Sequence, residues 1–510
     1  MNRVTGNREQ KTRAHGGFIA IFAIMTVVAV LSSCDDPMKE NSNGGTNGTD
    51  SDGNGSNGTG GTKKPALELT AELVFPEITT LGTTRDDWQG EGAAQTWTLS
   101  AGEETVAYFA VTKGAGQSLS VGGTGAAKVA AIDVGGLPVG VDTSGLDGNT
   151  VLYKVDTEEL LFDGNLSAGG DSVGPLAFTL TAAEEGKSSI VYTVNLNLSL
   201  DATDVSLWRK ENGRWVKIRD AAITRDQATT CRALTEGPVE DLENAFAWVT
   251  AKAEGGDGTG AEPGTTTGYA EYRVFLKAAE HPIGKINLIY QKNYVSLELY
   301  GAGSPGTAER RITMNTALTT SRATETVNYN TELNDQGGFI AGLINVFPVN
   351  GTDYDRWQIL VLGKNVTLDG GGEDNAVGWT GTSTQDTPWP KMGVAHLIGI
   401  ALNGTVIMRD HAKITGYYSE NAVSSCSVIY LTAHLNYLPT FYMQGGAITG
   451  NTVDKDYGGV AYLANSSGTF LKTGGTVSDN YGYDNGSPVP RNVVRSGSGY
   501  AISHDFDDGE

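Results

Sequence analysis

The chain has 510 residues, of which 59 are Asp or Glu and 36 are Lys or Arg, leaving a net charge of −23. A surface that acidic repels nucleic acid and anionic lipid headgroups, so neither is a natural partner. Sixty-nine glycines against 15 prolines suit many short strands joined by tight turns, and the length leaves room for more than one folded core.

Residues 1–33 read as an export signal. Arg3, Arg8, Lys11 and Arg13 form a positive region, followed by the uncharged run Phe18 to Leu31 of 14 residues. About 20 are needed to cross a bilayer as a helix, so this run is short for a spanning anchor and right for a signal peptide. It ends in Leu31-Ser32-Ser33-Cys34, which resembles the lipobox of bacterial lipoproteins. That resemblance implies cleavage before Cys34, diacylglycerol on its thiol and acylation of the new amine, and two acyl chains hold a protein stably on a membrane. Residues 34–65 are the lipidated cysteine and its tether. Asn41 to Thr62 is almost wholly Gly, Asn, Ser, Thr and Asp, a flexible composition with a reach of roughly 25 Å. Asp35 and Asp36 resemble an inner-membrane retention signal of enteric bacteria. Spirochaetes sort lipoproteins by other rules, so the expectation here is the outer membrane or cell surface, with a periplasm-facing location as the alternative. The remaining cysteines, Cys231 and Cys426, belong to no CxxC or Cys/His cluster, and the sequence implies neither a metal nor a cofactor. Whether those two cysteines pair or stay as buried thiols is open.

Residues 66–204 carry short β runs between glycine-rich turns, among them Thr105 to Val111. In the clearest run, Ile190, Tyr192, Val194, Leu196, Leu198 and Leu200 alternate with more polar positions. Period two is the mark of a half-buried strand, and several such strands predict a β-sandwich-like domain. Over 205–240, Leu207 to Glu211 and Arg214 to Ile218 flank Asn212-Gly213, which predicts a type I′ hairpin followed by a linker. A helix is expected next, started by Pro238 and Asp241, with Leu242, Ala245, Phe246 and Val249 on one face. The strands Tyr272 to Leu276 and Val295 to Tyr300 follow closely, so the helix is expected to cap the first coil of what comes after.

Residues 241–510 contain a degenerate repeat. Thr440 to Asn451 (TFYMQGGAITGN) aligns with Thr469 to Asn480 (TFLKTGGTVSDN) at an offset of 29 residues. Phe441 matches Phe470, Gly445 and Gly446 match Gly474 and Gly475, Ile448 matches Val477, and Asn451 matches Asn480. Thr405 to Gly416 is a third copy with one extra residue, and Val428 to Leu431 parallels Val460 to Leu463. Repetition at this length, with strands and no helical period inside the unit, predicts an all-β right-handed parallel β-helix with a short N-terminal capping helix. Phe441, Met443 and Ile448 would point inward, the glycines would allow the sharp bend, and Asn451 would stack on Asn480 as an amide ladder.

These units resemble the GG-[AT]-[IV]-x-x-N coils of β-helical surface lipoproteins of spirochaetes, and more distantly the repeats of polymorphic outer-membrane proteins and autotransporter passengers. The likeness covers roughly 240–510, including the segment Gly363 to Gly370. Lys472 in place of an inward Met and Tyr417 in place of the Asn depart from the pattern. The resemblance implies a pectin-lyase-like fold and a binding, adhesin-like or structural role, with a host or cell-envelope protein or glycan as partner.

The alternative is a polysaccharide lyase or glycoside hydrolase on the same fold. Fold alone assigns no chemistry, and such enzymes need carboxylate clusters with a neighbouring cation. Asp369, Glu373 and Asp374, and the triplet Arg409-Asp410-His411, are the nearest candidates; Asp454 with Asp456, and Asp505 with Asp507 and Asp508, lack calcium-loop spacing. None of the six histidines forms a helical metal pair. Solvated loops and turns account for these groups better than catalysis. Trp357, Trp379, Trp389, Tyr417, Tyr418, Tyr430, Tyr437 and Tyr442 are candidates for a binding face, most of them expected to be packing.

Overall fold

A computed structural model describes residues 72–74, 94–100, 105–113, 115–137, 146, 148–185, 189–223, 237–258, 266–284, 286–288, 294–315, 342–346, 358–375, 378–380, 389–391, 395–419, 427–432, 438–453, 459–464, 468–484 and 487–496. Cys34, Cys231, Cys426, Trp357, Tyr437, Asp454, Asp456, Asp505, Asp507 and Asp508 lie outside them. The described chain is mainly strand, with parallel sheets prominent.

Two four-stranded sheets come first. One runs, edge to edge, Glu72–Val74, Val106–Thr112, Thr150–Asp156, Val129–Ile132; the other runs Ala94–Ser100, Ile190–Ser199, Ser172–Ala183, Ser118–Gly122. Phe109, Val111, Tyr153 and Val155 of the first meet Phe178, Leu180, Val194, Leu196 and Leu198 of the second in one apolar cluster. Phe109 stacks on Tyr153 at 5.0 Å and on Phe178 at 5.9 Å. The alternation read from 190–200 is thus the pleat itself, since Val194, Leu196 and Leu198 are buried while Asn195, Asn197 and Ser199 are not.

Beyond residue 270 the chain visits three parallel sheets in rotation. The first sheet takes Ala270–Leu276, Val295–Gly301, Gln358–Leu362, Gly404–Met408, Thr440–Met443 and Thr469–Lys472 in that order. Glu280–Ile283, Arg310–Met314, Val366–Asp369, Lys413–Thr415, Ala447–Thr449 and Thr476–Ser478 make the second. Ile286–Leu288, Gly342–Val346, His396–Ala401, Ile429–Thr432, Ala461–Leu463 and Val494–Ser496 make the third. Every round of chain therefore adds one rung to each sheet.

The rungs are locked by rows of inward side chains. Tyr272, Leu297, Leu360, Val406, Phe441 and Phe470 are successive partners in the first sheet. In the second the row is His281, Ile312, Leu368, Ile414, Ile448 and Val477, and in the third Ile286, Ile344, Ile398, Ile429, Ala461 and Val494. Most of these belong to one continuous core. Residues 29 apart in the repeat are direct partners, with Phe441 against Phe470 at 5.1 Å and Ile448 beside Val477. At the corner between first and second sheets the chain turns through Gly446 and Gly475, whose φ angles of 79° and 75° suit glycine alone. A Cβ on Gly475 would press on the backbone of Gly445 and Gly446.

Helix α2 will be Leu242–Lys252 and helix α1 Glu158–Asp163, in chain order. The Asp241 side chain caps α2 by accepting the Asn244 N–H at 2.7 Å. Leu242, Ala245, Phe246 and Val249 are buried in the core with Val274, Ile283 and Ile286, so α2 covers the first rungs of all three rows.

The hairpin has a role the sequence did not suggest. Val205–Glu211 and Arg214–Lys217 turn through Asn212 (φ 50°) and Gly213 (φ 81°), and Val205–Glu211 then pairs antiparallel with Ala270–Leu276. The hairpin is therefore the edge of the first parallel sheet rather than a linker. Its Trp208 and Trp215 share a cluster with α1 and the two four-stranded sheets. Phe162 of α1 meets Trp208, Trp215, Phe275 and Tyr300 edge-on, at 5.2 to 6.4 Å. Arg273 lies over Phe162, Trp215 and Tyr300 at 4.6, 4.2 and 3.9 Å, while its Nε and Nη2 donate to Glu298 at 2.9 and 2.7 Å. Such cation–π contacts strengthen when water is excluded. The buried Lys364 donates to the carbonyls of Phe162 and Gly303 and pairs with Asp163 at 2.8 Å, where the last carbonyls of α1 need donors.

Candidate functional site

The groove with the most chemistry lies on the outer surface at the corner between the first and second parallel sheets. Four successive rounds build it. Gly306, Thr307, Ala308 and Glu309 form a lip, Asn365 and Thr367 a wall, His411, Ala412 and Lys413 the opposite side, and Gly446 and Ala447 a floor, enclosing about 360 Å³.

The lip exists because the corner turn is longest in the second round, where 302–309 connects the two sheets. Asn365 pins it. Its Nδ2 donates to the carbonyls of Gly303 and Ser304 at 3.0 and 2.9 Å, and its Oδ1 accepts the Gly306 N–H at 2.7 Å. Holding that position takes a left-handed backbone, φ 59°, which Asn tolerates better than most residues. His411, with φ 62°, sets its ring against the Gly306 side of the lip, where an added Cβ would lie 3.0 Å from Nδ1.

Charges of both signs rim the groove. Lys413 Nζ lies 3.7 Å from a Glu309 carboxylate oxygen, with both groups substantially exposed. Next to them on the outer face of the second sheet, Arg311 donates to Asp369, a contact that holds the Arg311 guanidinium above its ordinary pKa. Asp369 also accepts the Gly371 N–H at 2.8 Å and is buried. A carboxylate engaged on both sides is poorly placed to move protons. Glu309 is the one carboxylate lining the groove among the described residues. The arrangement can grip a polar ligand, but it does not supply the two facing acids that glycoside hydrolysis uses.

The other sequence candidates are dispersed. Glu373 and Asp374 sit exposed on the short 3₁₀ turn Gly372–Asn375. Arg409 and Asp410 are exposed in the corner turn, and of that triplet His411 alone lines the groove. No group of three or more His, Cys, Asp or Glu suited to a metal occurs among the described residues.

The aromatic candidates are mostly packed. Tyr417 is buried and its hydroxyl donates to the Ala395 carbonyl at 2.8 Å. Tyr430 is buried between His396 at 4.4 Å and Tyr462 at 5.9 Å, all nearly parallel, and burial raises its hydroxyl to about 12. Tyr418 and Tyr442 are half-buried. Trp379 and Trp389 fall in the described strands Gly378–Thr380 and Trp389–Lys391, which pair antiparallel.

Sequence reasoning missed Glu309, Arg311, Asn365, Thr367 and Lys413 as neighbours. The signal existed in part, since Lys413 and Ala447 are one rung apart in the repeat, but the lip has no counterpart in the other copies. No family model, curated protein or solved structure matches this chain.

Proposed function

We propose that this protein is an exported lipoprotein, held on the outer membrane or cell surface through lipid on Cys34, whose folded part is a non-catalytic binding or structural module. In this reading the two four-stranded sheets are a β-sandwich and the three rotating sheets a parallel β-helix, right-handed because parallel crossovers almost always are. The observation that carries the non-catalytic part is the state of Asp369, fully engaged by Arg311 and a backbone amide, beside a groove with one free carboxylate. Support for the anchor is the Leu31-Ser32-Ser33-Cys34 string followed by a polar tether.

The partner in this reading is a host or cell-envelope protein or glycan, met by the corner groove and the loops between rungs. The decisive experiment has two arms. Mass spectrometry of the mature protein should find an acylated N-terminal Cys34, and protease added to intact cells should degrade the folded part. An unmodified Cys34 removes the anchor, and full protection from protease removes the surface location. In the second arm the purified protein is incubated with polygalacturonate, other uronans and common glycans, with and without calcium. No cleavage is expected, and a lyase activity lost on Asp369→Asn would replace this reading with the enzymatic one.

A further inference from the structure

Arg310 begins the second-round strand of the second sheet and is only 5% exposed. Its main-chain N–H donates to the Asn365 carbonyl at 2.6 Å, and its Nη1 reaches the adjacent Glu309 carbonyl at 3.3 Å. The other two guanidinium nitrogens, Nε and Nη2, are buried and have no hydrogen-bond partner. A lysine or histidine in that position could shed its proton and become neutral, but a guanidinium does not. Burying an uncompensated charge is among the costliest things a fold can do.

The surroundings make the need for compensation sharper. Burial alone pushes the Arg310 guanidinium below its ordinary pKa, with no carboxylate opposing it. The ionisable groups that feel Arg310 are basic: it acts as a like charge on His281, which heads the inward row of the second sheet, and on the buried Lys364. Carboxylates in the neighbourhood are engaged elsewhere, Asp163 by Lys364 and Tyr300, Asp369 by Arg311, and Glu309 facing Lys413 outside.

From these observations we propose that the corner between the first and second parallel sheets binds a small inorganic anion, of the chloride class, on Nε and Nη2 of Arg310. Adjacent N–H donors on a guanidinium form a ready fork for an anion. The corner is tight: a Cβ added to Gly301 would sit 2.8 Å from the Asn365 Cβ and 3.0 Å from the Arg310 Cγ. That crowding selects a monatomic ion over an organic acid. The anion completes the inner wall behind the lip of the groove, because Asn365 both accepts the turn at Gly306 and offers its carbonyl to Arg310.

Thermal unfolding of the full chain tests this at fixed ionic strength, with chloride or bromide exchanged against isethionate, an anion too bulky for the corner. The expected result is a midpoint that rises by about 1–2 °C for each tenfold increase in the halide above its dissociation constant, and no halide-specific rise in Arg310→Met. Bromide-soaked crystals of the unaltered protein should show an anomalous peak within hydrogen-bond distance of Arg310. Equal midpoints in halide and isethionate overturn the proposal, as does a halide response of the same size in Arg310→Met. Should that variant not fold, the crystal arm stands by itself: a bare Arg310, or one facing ordered water, overturns the site.

Discussion

The Nδ2 of Asn451 donates to the Oδ1 of Asn480 at 2.8 Å, one rung further along the stack, and both amides are fully buried. Asn480 passes the pattern on to Asn492 at 2.9 Å, and in the other direction Asn451 accepts the Tyr417 N–H at 3.0 Å. Each side chain also satisfies main-chain carbonyls of its own turn. Asn480→Leu should therefore strand the Asn451 donor and destabilise the protein by about 1–3 kcal/mol, read as a lower urea midpoint. Replacing both residues with Leu should cost less than the sum of the single changes, and strict additivity would mean the two amides do not form a ladder.

Ile448 is fully buried between Ile414 and Val477 in the second sheet, whereas Thr476, one rung on, points outward and is exposed. Ile448→Asp should destabilise by several kcal/mol, about 3–5, because an unpaired carboxylate enters an apolar row. Thr476→Ala should stay within about 0.5 kcal/mol of the parent. Equal urea midpoints for the two variants would remove the inward row from the description of this fold.

Two histidines should make the protein acid-sensitive. His281 is pushed down to about 4 and His396 to about 3, in both cases by burial. An unfolded histidine titrates near 6.5, so between pH 6.5 and these values the unfolded chain binds more protons than the folded one. Their contribution is complete above pH 6.5 and is lost as pH falls, at up to about 1.4 kcal/mol per pH unit for each residue. His281→Gln with His396→Gln should flatten stability between pH 6.5 and 4 relative to the parent. A parent whose urea midpoint is unchanged over that range would contradict the burial of both rings.

Arg273 holds the junction between α1 and the first parallel sheet through three aromatic faces and Glu298. Arg273→Met should cost about 3–5 kcal/mol by leaving Glu298 buried without its partner. The double variant with Glu298→Gln should recover a substantial part of that loss. Limited proteolysis offers a second readout: faster cutting near Gly164 to Gly170 would report a loosened junction, and an unchanged pattern would place the loss elsewhere.

What could be read in advance follows from how local the signals are. Asp241 and the spacing of Leu242, Ala245, Phe246 and Val249 encode α2 within a dozen residues, and the helix is present as expected. Phe441, Ile448 and Asn451 recur in the next copy, so their pairing with Phe470, Val477 and Asn480 was written as similarity at a fixed offset. The antiparallel pairing of Val205–Glu211 with Ala270–Leu276 joins segments more than 60 residues apart in sequence, and neither segment announces the other. Helix α1 is too short to show a helical period. Arg310 was illegible for another reason: alternation predicts which positions face inward, but it cannot flag that a charged residue has accepted one of them.

Each rung of the three parallel sheets leans only on the rung before and the rung after, and the hairpin and α2 close one end. Stability in such an array grows by nearest-neighbour increments, so the natural unit of change is a whole round of chain rather than a single residue. A lineage could lengthen or shorten this stalk by copying or deleting about thirty residues at a time, and the corner groove would survive wherever the one long lip was kept. Height and recognition are thereby free to vary separately.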